Sequence, residues 1–498
     1  MPIRALTGGC AFLLLLAGGC GREETGPIAV SAIGAPPRLA NPNLEPLDPP
    51  SAFLLEAVAQ GLVRFDAQGQ VEPALAQSWI VSDDGTRHTF RIRRTQWTGG
   101  GRVTANQVVP RLRAAMARAS RNPLRPILGL IASIEPMTDE VLEFTLKAPR
   151  PHFVDLLAQP EMAILLNDRG TGPRRAAPGP DGTVLLSLPP PEDEDDPEQR
   201  GPPIVLRGER ASLAAARFLA GGADLVLGGT AGDLPIVRAA EPPAAALQFD
   251  PVAGLFGLAF QRAEGRLADP SVRRALSMAI DREGIVAALA VPGLSARASL
   301  LPPGLSEVPQ PAQPDWAATA LVVRREEAAR ILRTLAPAGA PAAADTAEPP
   351  APAEALRLRV AMPDGPGYRL VFAHLRRDWR LVGVEAERVP AGADADLRFV
   401  DAVAPARMAA WYLRSFTCDR SPACAAAADE ALALARETQS IVDRRALLAQ
   451  ADGLLRDAAI FVPIAAPVRW SLVSPRMTGF RRNEFARHVP GELIAVEN

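Results

Sequence analysis

The chain has 498 residues, of which 48% are hydrophobic and 22% are charged, and its formal net charge at pH 7 is −2. This length predicts two or three domains, and the apolar fraction is sufficient for sizeable cores. The near-neutral charge lacks the basic footprint of proteins that bind nucleic acid, so we expect no nucleic-acid partner.

The N-terminal segment has the three parts of an export signal. Arg4 is basic, residues 12–16 are apolar, and the small residues Ala-Gly-Gly precede Cys20. We therefore predict a lipoprotein signal peptide at 1–19, acylation of Cys20 and a tether at 20–27 that holds the protein at a membrane. An ordinary secretory signal with an incidental cysteine is the alternative. No later stretch approaches the roughly 20 consecutive apolar residues of a transmembrane helix.

The first half of the body mixes strand and helix patterns. Helices are predicted at 51–62 and at 103–119, where Thr104 or Asn106 is placed to cap the second. Strand-like segments are predicted at 28–33, at 62–65 and 71 around a turn with Gly69, at 88–93 and at 142–146. This mixture predicts an α/β or α+β architecture.

The second half begins with a strong helix signal. Asp269 and Pro270 suit the N-cap and first turn of a helix, and from Val272 to Leu289 the apolar residues fall on one face. The polar residues of this stretch, namely Arg273, Arg274, Asp281 and Arg282, fall largely elsewhere. A further helix is predicted at 446–458, followed by a strand at 460–464.

Two segments are predicted to be flexible surface loops. Residues 174–203 are rich in Pro and Gly and contain a run of acidic residues, and residues 336–354 contain Ala-Pro repeats. Such compositions bury too little apolar surface to offset the entropy of ordering.

Cys418 and Cys424 are separated by five residues in the body of the chain. An oxidising compartment would allow them to form a disulfide, while free thiols and a zinc site are the alternatives. The histidines are scattered and none flanks the pair, so we expect no metal site: they are His88, His152, His374 and His488.

No constellation of catalytic residues is evident. The chain has no Gly-x-Ser-x-Gly elbow and no His-Glu-x-x-His pair, and its single Lys, Lys147, follows no Gly-rich phosphate loop. The run at 228–232 lacks dinucleotide-binding spacing and is interpreted as a tight surface turn. We therefore expect no enzymatic activity and no cofactor, and a hydrolase is the less favoured alternative.

An ordered series of segments resembles a known family. The segments are Gln60-Gly61-Leu62-Val63, Glu72-Pro73-Ala74-Leu75-Ala76-Gln77-Ser78-Trp79, Gly170-Thr171-Gly172-Pro173, Gly222-Ala223-Asp224-Leu225 and the stretch from Val272 to Glu283. In order and spacing they resemble the extracytoplasmic solute-binding proteins of peptide- and nickel-type ABC importers, family 5. The resemblance covers roughly residues 28 to 475.

The resemblance implies an α/β, two-lobe periplasmic binding protein fold, class II-like, with an extra subdomain in lobe one. We expect lobe one at 28–252, with 463–498 returning to it, and lobe two at 253–462. The implied function is that of a periplasmic, membrane-anchored substrate-binding lipoprotein. It would be monomeric and would deliver a small peptide or peptide-like solute to ABC permease and ATPase subunits. A two-lobe sensor or scaffold without transport is the alternative.

The resemblance also suggests ligand-binding residues. Asp401 begins Asp401-Ala402-Val403-Ala404-Pro405, which is similar to the family segment whose Asp pairs with a ligand ammonium group; a solvated or helix-capping Asp is the alternative. Arg398 could hold a ligand carboxylate. Trp411 could form a wall of the cleft, with core packing as the alternative. Departures from the family pattern at 99–101 and from Arg174 onward suggest a diverged specificity.

Overall fold

The computed structural model describes residues 26–189, 201–335 and 355–493. The predicted signal peptide, Cys20 and the predicted loop at 336–354 lie outside these residues. The strands are β1 Ile28–Ile33, β2 Val63–Phe65, β3 Val71–Pro73, β4 Ala76–Val81, β5 Arg87–Ile92, β6 Ile131–Pro136, β7 Val141–Leu146, β8 Arg175–Pro178, β9 Val184–Ser187, β10 Ile204–Glu209, β11 Leu225–Thr230, β12 Leu247–Phe249, β13 Gly254–Phe260, β14 Leu356–Met362, β15 Val384–Pro390, β16 Leu397–Val403, β17 Phe461–Pro463 and β18 Arg469–Val473.

The helices occur in both halves of the chain. They are α1 Pro49–Val58, α2 Ala105–Met116, α3 Arg125–Leu128, α4 Phe153–Leu157, α5 Ala211–Leu219, α6 Leu234–Ala239, α7 Pro270–Met278, α8 Arg282–Leu289, α9 Leu321–Thr334, α10 Pro366–Arg380, α11 Ala409–Arg414, α12 Ala426–Glu437 and α13 Ile441–Asp457. None of the described helices is long and apolar enough to cross a bilayer.

Two sheets organise the molecule. The first has seven strands in the order β12-β18-β11-β1-β10-β9-β8, with β1 parallel to both β10 and β11. The second has five strands in the order β15-β14-β16-β13-β17, with β14 parallel to both β15 and β16. Below, the first lobe is the part built on the seven-stranded sheet, and the second lobe is the part built on the five-stranded sheet.

A smaller sheet extends the first lobe. It is antiparallel, with the order β4-β5-β7-β6, and lies in the chain between β1 and β8. Phe90 and Phe144 are fully buried in it and meet edge to face at 5.6 Å. Buried residues alternate with more exposed residues along β5 and β7, so the apolar core lies on one face of this sheet.

Local signals in the sequence explain several helix and turn positions. The Asp269 side chain accepts a hydrogen bond from the Ser271 amide, which confirms the predicted N-cap of α7. Thr104 and Gln107 form a capping box at the start of α2. Gly69 has φ +80°, as the predicted turn between β2 and β3 requires.

The single helix predicted from Val272 to Leu289 is wrong, because the chain breaks between α7 and α8. The Asp281 amide donates to the Asp378 carboxylate on α10 at 2.8 Å, and so turns away from the helix ladder. The Asp281 side chain then caps α8 by accepting from the Gly284 amide at 2.9 Å.

The interpretation that Arg273 and Arg282 lie away from the buried face is also wrong. Arg273 donates to the carbonyls of Leu267, Ala268 and Ala458, and Arg282 donates to those of Pro463 and Ser277. Burial lowers the pKa of Arg282 to about 9, and its guanidinium stacks over the Trp316 ring at 5.1 Å. Carbonyl acceptors from distant segments make this burial possible.

The flexible loop predicted at 174–203 is wrong for its first part. Residues 175–178 and 184–187 are β8 and β9, which extend the first sheet from β10. Arg174 is buried and donates to the carbonyls of Leu186 and Pro202. The composition of this segment did not indicate these two short strands, because β9 pairs with β10, which lies beyond the acidic run, and β8 pairs with β9 at the sheet edge.

Cys418 and Cys424 form a disulfide between α11 and α12. It closes a short loop beside helix α12, and Asp429 on that helix accepts from the Cys418 amide at 2.9 Å. This contact joins the loop to the first turn of the helix.

Asp452 is an acid buried inside the second lobe, on α13, with 1% of its surface exposed. One carboxylate oxygen accepts from the Ala312 amide at 2.6 Å, and the other has no hydrogen-bond partner among the residues that the structure describes. Burial raises the pKa of Asp452 from 3.8 to about 6, although the Ala312 bond and the Arg456 charge oppose the rise.

This raised pKa predicts a pH dependence of stability. Between pH 4 and 6 the folded state binds more protons than the unfolded state, so the free energy of unfolding falls as pH rises through this window. The contribution of Asp452 is about 3 kcal/mol at 1.36 kcal/mol per pKa unit.

We expect Asp452→Asn to flatten the pH dependence of the free energy of urea unfolding between pH 4 and 7 and to be more stable than the parent at pH 7. Asp443→Asn, on the exposed side of the same helix, is the matched control. Parallel profiles for Asp452→Asn and the parent would contradict the assignment.

Candidate functional site

The chain crosses between the two sheets twice. The first crossing runs from the end of β12 at Phe249 to the start of β13 at Gly254, and the second runs from Pro463 to Arg469. Because β12 pairs with β18 and β13 pairs with β17, the two crossings lie side by side. The residues around them form the interface between the lobes.

An ion pair joins the lobes beside the second crossing. Arg469, the first residue of β18, places Nη1 at 2.7 Å from Oδ1 of Asp401 on β16. Its Nη2 also donates to the Asp401 carbonyl at 3.3 Å. The two side chains are 18% and 5% exposed, so the pair is largely screened from water.

The second oxygen of the Asp401 carboxylate is also occupied. The Tyr368 hydroxyl, in the first turn of α10, donates to Oδ2 at 2.6 Å. Burial and the charge of Asp401 raise the pKa of Tyr368, which keeps this hydroxyl a proton donor. Asp401 therefore has one partner from each lobe.

A second carboxylate lies close to this cluster. Asp233, just before α6, accepts from the Thr230 hydroxyl at 2.9 Å, and the Thr230 carbonyl accepts from the Trp470 indole at 2.9 Å. Burial raises the pKa of Asp233, and the charge of Asp401 adds to the effect. Thr230 ends β11, so the cluster sits at the carboxyl end of parallel strands, where α/β proteins commonly bind ligands.

Glycines allow the lobes to touch at this point. The Gly367 amide of α10 donates to the Gly232 carbonyl at 2.9 Å. A Cβ atom at Gly232 would lie 2.4 Å from the Tyr368 ring, and one at Gly367 would lie 1.8 Å from the Ala231 carbonyl oxygen. The contact between the lobes therefore requires glycine at both positions.

Arginines of the first lobe reach helix ends of the second. Arg238 on α6 donates to the carbonyls of Leu289 and Ala290 at the end of α8, at 2.6 and 2.9 Å. Arg150, after β7, donates to the carbonyls of the last turn of α12, those of Ala435 and Arg436. Cationic side chains at these positions satisfy terminal carbonyls and complement the negative end of the helix dipole.

A cavity of about 640 Å³ opens beside the crossings. Its walls come from residues 238–252 of the first lobe and first crossing, from residues 290–294 of the second lobe, and from residues 466–469 of the second crossing. Its volume is within the range of small-molecule sites, and its position between two lobes is typical of them. Arg469 belongs both to this wall and to the ion pair with Asp401.

The structure separates the three predicted ligand-binding residues. Asp401 lies in the interface. Arg398 is exposed, and because it is three residues from Asp401 on β16 it points to the opposite face of the sheet. Trp411 is partly buried and meets Tyr412 edge to face at 4.8 Å. A ligand role for each of these residues stays a prediction.

Sequence reasoning missed Tyr368, Arg469 and Gly232. The glycine-rich run at 228–232 was interpreted as a surface turn, yet Gly232 is buried against Tyr368. The close spacing of Gly365, Pro366 and Gly367 just before Tyr368 was the second available signal. These two glycine-rich segments meet across the interface although they lie more than 130 residues apart in the chain.

Comparisons with known proteins agree with this architecture. The crystal structure of Haemophilus influenzae OppA in complex with RPPGFSPFR matches with a TM-score of 0.80 at 17% identity, covering 95% of this chain and 100% of that chain. The fold is therefore the α/β, two-lobe periplasmic binding protein fold, as predicted.

Sequence comparison identifies the family. A profile of the bacterial extracellular solute-binding proteins, family 5 Middle, matches residues 70–184 and 204–413, which is more than half of the chain. The chain belongs to this family.

Two relatives in Escherichia coli strain K12 match over shorter stretches. The probable deoxycholate-binding periplasmic protein YgiS is 31% identical over 121 residues, which cover 21% of this chain and 23% of that protein. The glutathione-binding protein GsiB is 32% identical over 130 residues, which cover 25% of each chain. The chain thus matches about a quarter of the length of these relatives.

The buried pair of Asp401 and Arg469 predicts strong energetic coupling. Removing one partner leaves the other charge poorly solvated, so Asp401→Asn and Arg469→Met should each destabilise the protein. The double variant should be destabilised by less than the sum of the two single variants. In a double-mutant cycle measured by urea unfolding, we expect a coupling free energy of about 2 kcal/mol.

The exposed pair of Glu327 and Arg330 on α9 is the matched control for this cycle. It is solvent-screened, so we expect no measurable coupling from the same analysis. Equal coupling in the two cycles would show that the interlobe pair carries no special energy.

Proposed function

We propose that this protein is the substrate-binding component of an ABC importer, which captures a small peptide or peptide-like solute between its two lobes and delivers it to a membrane permease. The observation that carries the proposal is membership of the solute-binding family, together with two sheets that are joined by two short crossings and by the ion pair beside them. Binding without turnover is expected.

The geometry supports a hinge mechanism. The crossings are adjacent, so the lobes can rotate about one axis while each sheet stays intact. The contacts between the lobes include hydrogen bonds, ion pairs and the glycine approach, and apolar side chains of both lobes also belong to one buried cluster. A solute that contacts both lobes stabilises the closed arrangement by the difference between its binding free energies to the closed and the open arrangements. The closed arrangement is the form proposed to dock on the permease and its ATPase subunits.

The proposal includes the boundaries and location predicted from the sequence. Lobe one comprises 28–252 and the returning segment 463–498, and lobe two comprises 253–462. The crossings at 249–254 and 463–469 support these divisions. A lipid on Cys20 would hold the monomeric protein at a membrane in the periplasm, in keeping with the extracellular location of the family.

A ligand role for Asp401 requires an exchange of partners. Arg469 and Tyr368 occupy both oxygens of its carboxylate, so a ligand ammonium group would have to displace Arg469. Such an exchange keeps the carboxylate paired and would couple solute binding to movement at the second crossing. Because the chain itself supplies these partners, its closed form needs no solute. This observation favours a two-lobe sensor or scaffold as the second candidate function.

A binding and scattering experiment tests the proposal. Deoxycholate, glutathione and the peptide RPPGFSPFR are titrated against the purified protein, with affinity followed by calorimetry and lobe closure by small-angle X-ray scattering. We expect at least one to raise the melting temperature by mass action and to reduce the radius of gyration. Gly232→Ala should weaken that solute by about tenfold, roughly 1.4 kcal/mol, because its new methyl group meets the Tyr368 ring.

The matched control is Gly392→Ala, since a Cβ atom there meets nothing within 4 Å. This variant should bind like the parent. Turnover of a bound solute would contradict the binding role, and binding without compaction would favour the sensor or scaffold.

A further inference from the structure

The cavity beside the crossings carries an imbalance of hydrogen-bonding groups. Arg238, Arg469 and Arg482 line it, together with the two acids Glu241 and Asp250. Asp250 is buried and directed to other partners, because one oxygen accepts from the Asn483 amide at 2.9 Å and the other lies 3.2 Å from the His488 ring.

The three arginines differ in their hydrogen-bond and ion-pair partners. Arg469 is neutralised by Asp401. Arg238 donates to two main-chain carbonyls and has no carboxylate partner within the described part of the chain, and burial lowers its pKa. Among the described residues, Arg482 makes no hydrogen bond and no ion pair, and it is exposed toward the cavity. A guanidinium carries five N–H donors, and Arg238 and Arg482 outnumber Glu241, the one exposed acid of this wall, so donors remain in excess over acceptors.

Two of the three arginines that flank this space, Arg238 and Arg469, are held in place before any ligand arrives. The α8 carbonyls fix Arg238, and Asp401 and the Val468 carbonyl fix Arg469. Charge-assisted bonds from such fixed donors cost little ordering on binding.

The remaining walls are apolar. Leu247, Phe249 and Val252 come from the first crossing and the strand before it, and Val291 and Leu294 come from the second lobe. A ligand that satisfies the whole cavity therefore combines an anionic group with an apolar body.

We infer that this cavity, hereafter the hinge cavity, binds a small organic carboxylate, with Arg482 and Arg238 as its anion partners. The inference rests on the proposed function and names the chemical class of the solute. The carboxylate faces the arginines of the first lobe while the apolar body lies against Val291 and Leu294 of the second. Such a ligand contacts both lobes and favours their closure.

The test uses two probes of the same shape, 4-phenylbutyrate and its uncharged amide, measured by calorimetry on the full chain at constant ionic strength. We expect the carboxylate to bind saturably at millimolar concentration or below and the amide to bind at least about tenfold more weakly, because it cannot form charge-assisted bonds. Equal affinity for the two probes, or no saturable binding of the carboxylate, overturns the inference.

Two pairs of variants locate the binding. Arg482→Gln should weaken the carboxylate by about tenfold, while Arg481→Gln, which removes the same charge next to the cavity but not in its wall, should leave affinity within about twofold. Ala244→Trp should block the cavity, while Ala245→Trp, at the neighbouring exposed position outside its wall, should not. All four positions are exposed, so folding is preserved. Equal effects within either pair overturn the inference.

The outcome is separable from that of the proposed function. If a solute from the panel above binds and compacts the protein but is insensitive to Arg482→Gln and Ala244→Trp, the importer proposal stands and the assignment of the hinge cavity fails. If the carboxylate binds with the expected sensitivity but no bound solute compacts the protein, the assignment of the binding site stands, while the closure expected from it and the importer proposal both fail.

Discussion

The relation between the lobes depends on one covalent constraint, which is that the chain passes between its sheets through two short and adjacent segments. Rotation about this axis moves nearby groups little and distant groups far. Arg469 lies at the axis, so its pairing with Asp401 can persist through small rotations. Arg150 makes a separate contact between the lobes, outside both crossings, by donating to the last turn of α12.

Around the crossings, the interface contains polar groups that satisfy one another. Asp401 has a partner from each lobe, and Gly232 and Gly367 bring two backbones within hydrogen-bonding distance. Apolar side chains of both lobes also pack in one cluster, and the directional bonds add a defined geometry to this contact. The hinge cavity lies next to this interface and shares Arg469 with it, so a ligand there and the interface bonds depend on the same side chain.

Much of the fold follows from local sequence signals, because caps, turns and alternating strands are determined by neighbours in the chain. The cap at Asp269 and the turn at Gly69 are examples. The break before α8 could not be predicted in this way, since the acceptor that diverts the Asp281 amide is Asp378, almost 100 residues later. Burial of Arg282 likewise needs the Pro463 carbonyl. The candidate site was half predicted: family resemblance located Asp401, but its partners come from two other parts of the chain.

Arg238 and Arg150 have a consequence for what opening does to the protein itself. Each completes the carboxyl end of a helix that belongs to the other lobe. When the lobes separate, the last carbonyls of α8 and α12 lose these donors and return to water, and helix ends without caps fray. The open form therefore differs from the closed form in two ways: its lobes are rotated, and the carboxyl ends of α8 and α12 are less ordered. Opening gains conformational entropy at these two helix ends, and closure has to order them again.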